Sequence, residues 1–459
     1  IYNSTIEQAR ATISSLDPTS PLLMKGRLKG PLEDEIRLLR EDALRKEFGH
    51  IAEALQVGGN AELKLDFAVP LVDGRGDYRL DGSLFFNNAS LSLPDWDLDI
   101  TQVNGELGIS LDALRGSGIR GEAFGRPVQV DVTPMPNGDT RVSARTSLGN
   151  DALARQLPQL AAPLRQLLDG EAEFSIEVDI PGISAAPGAP TILSVASSLE
   201  GMRLNLPPPL AKAPQERKDL LVSMPVAGEP RPTLFSLGSQ LSGAFSPDWQ
   251  SGQIRYQRGK ATPPGPAGYH LHARLEHLDL DAWQNALVSY DGHRGAPPEW
   301  LADIHSERLL LCGISLVEAK LKVQAKTGTL QGTVASRQLE GNFSYPTGNA
   351  QPLDMRLHRF HLQFPTDEES NPEPPAPART PDPRTLPPIQ LVCEDLQLNN
   401  ASLGSLELRT QPSSQGLEIA QLSIDGPSGQ LDASGTWGWQ EETQYSRLTG
   451  TASLPDLGK

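Results

Sequence analysis

Along much of this chain, apolar and polar residues take turns one for one. Ala61, Leu63, Leu65, Phe67 and Val69 alternate with Asn60, Glu62, Lys64 and Asp66. Ala172, Phe174, Ile176, Val178 and Ile180 alternate with Glu171, Glu173, Ser175, Glu177 and Asp179. Val317, Ala319, Leu321, Val323 and Ala325 do the same against Glu318, Lys320, Lys322, Gln324 and Lys326. Successive strand side chains point to opposite faces, so each segment reads as a strand with one apolar and one wet face. Similar segments recur about every 15–18 residues, which predicts roughly two dozen strands.

The pattern also repeats at long range. GNAELKLDFAVP at 59–70 aligns with GEAEFSIEVDIP at 170–181, and LSLP at 91–94 aligns with LNLP at 204–207. NNASL at 87–91 returns at 399–403. Such repeats predict modules added end to end, each burying its apolar face against its neighbours. The reading gives a helical or connecting segment at 1–58 and groove repeats at 59–169, 170–262 and 263–364. A Pro-rich linker at 365–388 and a terminal β segment at 389–459 follow.

Helical spacing is confined to a few stretches. Residues 31–55 form an amphipathic pattern with Pro31 at its start, and 151–168 is broken by Pro158 and Pro163. Residues 281–290 and 298–304 read as short helices. Mixed or acidic polar faces make these lids over a sheet edge or open end rather than membrane-surface helices. Linkers are expected at 182–190, 225–232 and 263–268, and above all at 364–388 with its nine prolines. Shortening that last segment by removing 367–384 is expected to cost the fold little.

Composition narrows the chemistry. The 459 residues carry 40 basic against 57 acidic side chains, a net charge of -17, which argues against nucleic acid as a partner. No apolar run is long enough to cross a bilayer as a helix; 309–317, the longest, reads as a buried strand. The chain opens at Ile1 without an initiator Met, as a fragment or processed product would. Cys312 and Cys393 are the two cysteines, as compatible with a disulfide as with two buried thiols.

Catalytic motifs were sought and are wanting. GSGIRG at 116–121 spells a dinucleotide fingerprint, but it leads into a strand at 128–132 where that motif needs a helix N-terminus. A hairpin turn is the expected structure. Gly259-Lys260 is followed by Ala261, so no phosphate loop forms, and no nucleotide or other cofactor is expected. His270 and His272 share a strand face without an evident third metal ligand, although His277 is near. His358 and His361 lie in an alternating segment. No metal site, catalytic residue or enzymatic activity is expected.

What remains is an unusually long series of one-sided strands. The fold class they predict is mostly β: one long twisted antiparallel sheet curled into an open hydrophobic groove, with a few short helices capping or covering it. At about 4.8 Å per strand, two dozen strands would make a trough on the order of 110 Å long. Leu63, Leu65, Phe67, Val69, Phe174, Ile176, Val178, Ile180, Val317, Leu321, Val323, Met355 and Leu357 are expected to line it. Phospholipid acyl chains are the natural filler, since each methylene removed from water contributes roughly 0.8 kcal/mol.

Several passages resemble the YhdP branch of the AsmA-like family. These are LSLPDW at 91–96, VNGEL at 103–107, AFGRPV at 123–128, LDLDAW at 278–283, LEGNF at 339–343 and LDMRL at 353–357. LPPI at 386–389, LGSLEL at 403–408 and LDASGTW at 431–437 extend the likeness, which spans about 20–455. The resemblance implies a bridge-like lipid-transfer protein of the Gram-negative periplasm, with no catalytic residues. It implies an inner-membrane tether in a segment outside this sequence, and phospholipid passage toward the outer membrane in support of its permeability barrier. An elongated envelope scaffold is the alternative. A carbohydrate-active β-solenoid is a third reading, but it would need paired carboxylates at inward positions that here are apolar.

Overall fold

The computed structural model describes residues 3–15, 20–39, 56–70, 79–93, 98–110, 113–156, 165–182, 185–262, 268–288, 299–326, 328–346, 351–363, 383–384, 386–399, 401–427, 429–440 and 443–453. Strands make up 72% of it and helices 6%. Among the described residues, 26 strands are joined in a sheet that does not close into a barrel. The chain divides into two compact units, one of 1–205 with 212–238 and one of 206–211 with 239–459.

The first unit holds β1 (Thr5–Ile13), β2 (Leu22–Pro31), β3 (Gln56–Val69), β4 (Arg79–Leu93), β5 (Leu98–Ser110), β6 (Ala113–Ala123) and β7 (Arg126–Pro134). It continues through β8 (Thr140–Gly149), β9 (Leu168–Ile180), β10 (Thr191–Ser197), β11 (Met202–Leu204), β12 (Leu220–Ala227) and β13 (Thr233–Leu237). Helices α1 (Leu32–Leu39) and α2 (Asn150–Gln156) interrupt the series. Each strand from β1 to β10 pairs antiparallel with the next, then β10 with β12 and β12 with β13. β11 pairs with the start of β9, and its Leu204 also forms an isolated antiparallel bridge with Lys212.

The second unit holds β14 (Leu241–Phe245), β15 (Ser251–Tyr256), β16 (Gly268–Asp279), α3 (Leu280–Val288), β17 (Trp300–Leu311), β18 (Ile314–Lys326), β19 (Thr329–Ala335) and β20 (Leu339–Pro346). β21 (Leu353–Leu362), β22 (Ile389–Leu398), β23 (Ala401–Ser413), β24 (Gly416–Gly426), β25 (Gly429–Gln440) and β26 (Thr443–Ser453) complete it. These strands also pair in chain order. They are not all antiparallel, however: β15–β16, β16–β17 and β21–β22 run parallel. A parallel step obliges the connection to return the full length of the strand, which a tight turn cannot do. The segments read from sequence as linkers around 263–268 and 364–388 lie in two of those return connections.

The sequence repeat is a structural one. Gly59 and Gly170 both sit near the start of their strands with left-handed φ of +83° and +95°. A Cβ would lie 2.7 Å from the Asn88 carbonyl at the first and 2.3 Å from the Gly201 carbonyl at the second, so glycine is required for conformation and for space.

Other expectations need correction. Residues 300–304 belong to strand β17, not a helix. Ala302, Ile304 and Ser306 are buried on one face, and parallel pairing to β16 overrides the helix-forming composition. The apolar run 309–317 is a hairpin rather than one strand. Cys312 and Gly313 both take positive φ, as a tight two-residue turn requires, so β17 ends at Leu311 and β18 starts at Ile314. The 116–121 segment lies within β6 and carries a bulge; the turn comes later, at Phe124–Gly125, where both φ values are positive. β12 extends to Ala227, so 225–227 is strand rather than linker.

Within 31–55, Leu32–Leu39 is helix and 40–55 lie outside the described residues. Within 151–168, Asn150–Gln156 and 165–167 are helical and 157–164 lie outside the described residues; of 281–290, the part to Val288 is helix and 289–290 lie outside them. Both cysteines are free: Cys312 is exposed in its turn, and Cys393 is buried.

The parallel β21–β22 step overturns the expectation about deleting 367–384. Leu362 pairs beside Leu398 and Leu353 beside Ile389, so the connection must come back about 30 Å. The intact sequence has 26 residues for this return. Removing 367–384 leaves eight, which reach that far only at about full extension. That deletion is expected to unpair the two strands and lower the thermal midpoint. Removing 369–380 leaves fourteen and should shift it little. Thermal unfolding of the two variants by circular dichroism checks the contrast.

Candidate functional site

The ladders place apolar residues of successive strands side by side in unbroken rows. In the second unit one row runs Tyr256, Ala273, Ile304, Leu321, Val334, Gly341, Leu357, Cys393, Leu406, Ile424 and Leu431, each the cross-strand partner of the next. From Tyr256 to Leu406 every side chain of this row is buried. Two residues along the strands lies a parallel row: Ile254, Leu271, Ala302, Val323, Gly332, Phe343, Met355, Leu391, Leu408 and Leu422. Here Leu271, Phe343, Met355, Leu408 and Leu422 are only half-buried.

The first unit repeats the arrangement. Leu28, Leu63, Leu84, Leu107, Gly116, Val132, Val142, Val178, Leu193 and Met224 are successive partners across ten strands. The row begins as a closed core: Leu63 and Leu84 are 0% and 1% exposed. From Leu107 onward its members are half-buried. A neighbouring row, Val130, Ala144, Ile176, Val195, Val222 and Phe235, is half-buried throughout.

Helices close one end of these faces. Leu32 of α1 is wholly buried over the Leu28–Leu63–Leu84 cluster, with Ile36 packed beside it. In the second unit, Leu280 and Trp283 of α3 pack on the cluster that includes Leu278, Leu309 and Leu316. Trp283 Nε1 donates to the Pro208 carbonyl at 3.0 Å. Asp281 accepts from the backbone N–H groups of Cys312 and Gly313 at 2.7 and 2.9 Å, fixing the helix to the β17–β18 turn.

The expected lining residues therefore fall into different settings. Leu63, Leu65, Phe174, Leu321, Val323 and Leu357 are buried, whereas Phe67, Val69, Ile176, Val178, Ile180 and Met355 are half-buried. Val317 stands across from Arg308, beside Glu318, whose φ of +56° is left-handed. Its neighbour Leu316 takes the buried position instead. Sequence reasoning missed Phe245, Tyr269 and Trp300, and with them the run through Ala302 and Ile304. The alternation in WLADIHS was the available signal.

The opposite face is polar. A depression of about 640 Å³ in the second unit is lined by His272, Asp303, Lys322, Thr333 and Asn342, which are cross-strand neighbours. His272 Nδ1 lies 4.0 Å from Asp303, and His305 Nε2 lies 3.3 Å from the same carboxylate. Burial, aided by the positive Arg255, lowers the His272 pKa. His270 stacks on His272 with ring centres 6.4 Å apart. Among the described residues, no three His, Cys, Asp or Glu side chains converge as metal ligands. His358 and His361 instead pair with Glu394 and Asp395 of β22 at 3.1 and 2.8 Å.

A family model described as YhdP protein matches residues 2–459. No curated protein and no solved structure matches the sequence. Among the described residues, no helix is long and apolar enough to cross a membrane.

The cover formed by α1 carries a titratable group. Glu35 sits on its buried face, 1% exposed. Burial raises its pKa, against the lowering effect of the Ser4 hydroxyl, and the nearby Asp34 raises it further. Because the folded pKa is raised, the folded state holds a proton that the unfolded state releases. Stability is then highest below the ordinary glutamate range and falls as pH rises through the folded value. Glu35→Gln should remove that part of the pH dependence and raise stability at pH 8 by about 1–3 kcal/mol. Urea titrations at pH 5 and pH 8 measure both effects.

Proposed function

The chain belongs to the YhdP family, and we propose that its apolar rows hold the acyl chains of phospholipids and let them pass from strand to strand between the inner and outer membranes. Membership supports a role related to lipid transport. The observation that carries the finer reading is the half-buried state of long unbroken stretches of these rows, from Leu107 to Met224 across seven strands and from Val130 to Phe235 across six. A closed core would bury them fully, and an ordinary solvated sheet face would carry polar side chains.

The energetics suit passage rather than capture. A two-chain lipid gains roughly 0.8 kcal/mol for each methylene taken out of water, so escape into solvent is costly. Moving one strand along exchanges one aliphatic neighbour for another, such as Val178 for Leu193 or Leu408 for Leu422, and changes little. The side chains named in these half-buried rows include no hydroxyl, amide or charge to be desolvated at each step. Nothing in it couples movement to an energy source, so direction comes from the supply and removal of lipid at its ends. The protein works in the periplasm on this reading, held to the inner membrane by a segment outside the sequence, and it is not an enzyme.

Strand parity supplies the test. Ile176 is half-buried on the apolar face, between Ala144 and Val195, while Ser175 points to the other face beside Arg145. Ile176→Asp would set a carboxylate among acyl chains, which costs several kcal/mol unless it protonates or draws in water. Phe174 is unsuited to the purpose, since at 2% exposure a charge there would attack the fold itself. A photoreactive amino acid at Val195 should crosslink phospholipid in the wild type. Ile176→Asp should cut that yield about tenfold or more, and Ser175→Asp should leave it unchanged. Equal yields in folded variants, or the absence of any lipid adduct, would favour a scaffold over a conduit.

A further inference from the structure

At one margin of the second unit's apolar face the chemistry changes from aliphatic to aromatic. Phe245, Gly252, Tyr269, Trp300 and Ala325 are successive cross-strand partners, two residues beyond the half-buried row through Leu271 and Ala302. Gly252 is required there: a Cβ would lie 2.3 Å from the Phe245 ring and 3.1 Å from that of Tyr269. Trp249, half-exposed at the β14–β15 turn, stacks on Phe245 with centroids 5.1 Å apart. The Tyr269 hydroxyl donates to the Trp249 carbonyl. One residue further out, Glu299 and Lys326 form an exposed ion pair at 3.8 Å.

Read along β17 from its closed end, the same-face residues are Ile304, Ala302 and Trp300; Glu299, one residue beyond and of opposite parity, stands just outside the strand. This aliphatic-to-aromatic sequence is the order met on going from a bilayer's hydrocarbon to its interface, where Trp and Tyr collect because one end of each ring system is apolar and the other polar. The depth agrees as well. Four residues from Ile304 to Trp300 span about 13 Å, close to the roughly 15 Å of hydrocarbon in one leaflet.

We propose that the Trp249–Tyr269–Trp300 margin holds the glycerol-ester region of a diacyl lipid. The headgroup lies outward of these rings, past the strand ends, and the chain ends point toward the buried Ile304–Leu321 row. This rests on the conduit reading and adds an orientation to it: lipid crosses this unit headgroup-out, along one margin. The Trp249 indole N–H supplies a donor at the depth of the esters, where the aliphatic rows offer none, and the Tyr269 hydroxyl, committed to the Trp249 carbonyl, holds that turn in place.

The test is fluorine NMR of the intact chain grown with 5-fluorotryptophan and loaded with phosphatidylcholine. The lipid carries a nitroxide either on the choline or near the end of an acyl chain. Trp249→Phe, Trp300→Phe and Trp283→Phe each delete one resonance and so assign it. The choline label should abolish the Trp249 and Trp300 signals and spare Trp283, which packs at the closed end; the chain-end label should do the reverse. Phosphate analysis of the same samples reports bound lipid. Bound lipid with equal or inverted broadening overturns the orientation while leaving a conduit intact. Failure to bind lipid overturns both.

Discussion

Everything in this protein depends on register. Side chains alternate between faces with a period of two, so a slip of one residue in any strand pair would carry that strand's apolar residues to the wet face. The apolar rows survive ten or more strands because irregularities are answered by the neighbouring strand. In β17 the buried positions shift from Ser306 to Leu309, with Glu307 and Arg308 exposed between them. In β18 they shift from Leu316 to Ala319 around the left-handed Glu318. Ser306 meets Ala319, and Leu309 meets Leu316. The two strands change face together, and the row continues unbroken.

A one-sided sheet that keeps its register must still cover its apolar face, and the two units do so unevenly. Where helices lie on the face, the rows are packed to near-complete burial, as at Leu32 over Leu63 or Trp283 beside Leu309. Toward the other strand ends the same kinds of residues remain partly open. On the function proposed above, the transition lets each unit's sheet serve both as its own core, which supplies the stability, and as a surface that can exchange occupants. A fully closed core would give more stability, and a fully open face would give aggregation.

Much of this was legible in the sequence because period-two alternation is a local signal. Leu63, Leu321 and Val323 announce their face within a few residues, as do Ile176 and Val178. The losses came where the deciding interaction is distant. Residues 300–304 have helix-forming neighbours, and only pairing with Tyr269–Ala273 on one side and Leu321–Ala325 on the other makes them a strand. The parallel steps were invisible because nothing in β21 or β22 encodes the direction of its partner. Val317 obeyed the alternation but adjoins a left-handed residue, and φ at Glu318 cannot be read from its letter. The aromatic margin was hidden too: Phe245, Tyr269 and Trp300 are far apart in the chain and adjoin only once three strands have paired.

The parallel steps also explain why the aromatic margin and the closed end lie at opposite ends of the same strands. β15, β16 and β17 all begin at the aromatic side, with Gly252, Tyr269 and Trp300 among their first residues, and run the same way. β15 and β16 must then each be followed by a connection that returns from the far end, whereas β17 turns directly into β18. Between β16 and β17 that connection opens with α3, which lays Leu280 and Trp283 on the apolar cluster and clamps the β17–β18 turn through Asp281. An antiparallel hairpin at this point would leave no chain to form the cover and would start β17 at the closed end. The direction of the strands thus fixes which margin is sealed and which stays open, and the open one is where the aromatic residues stand.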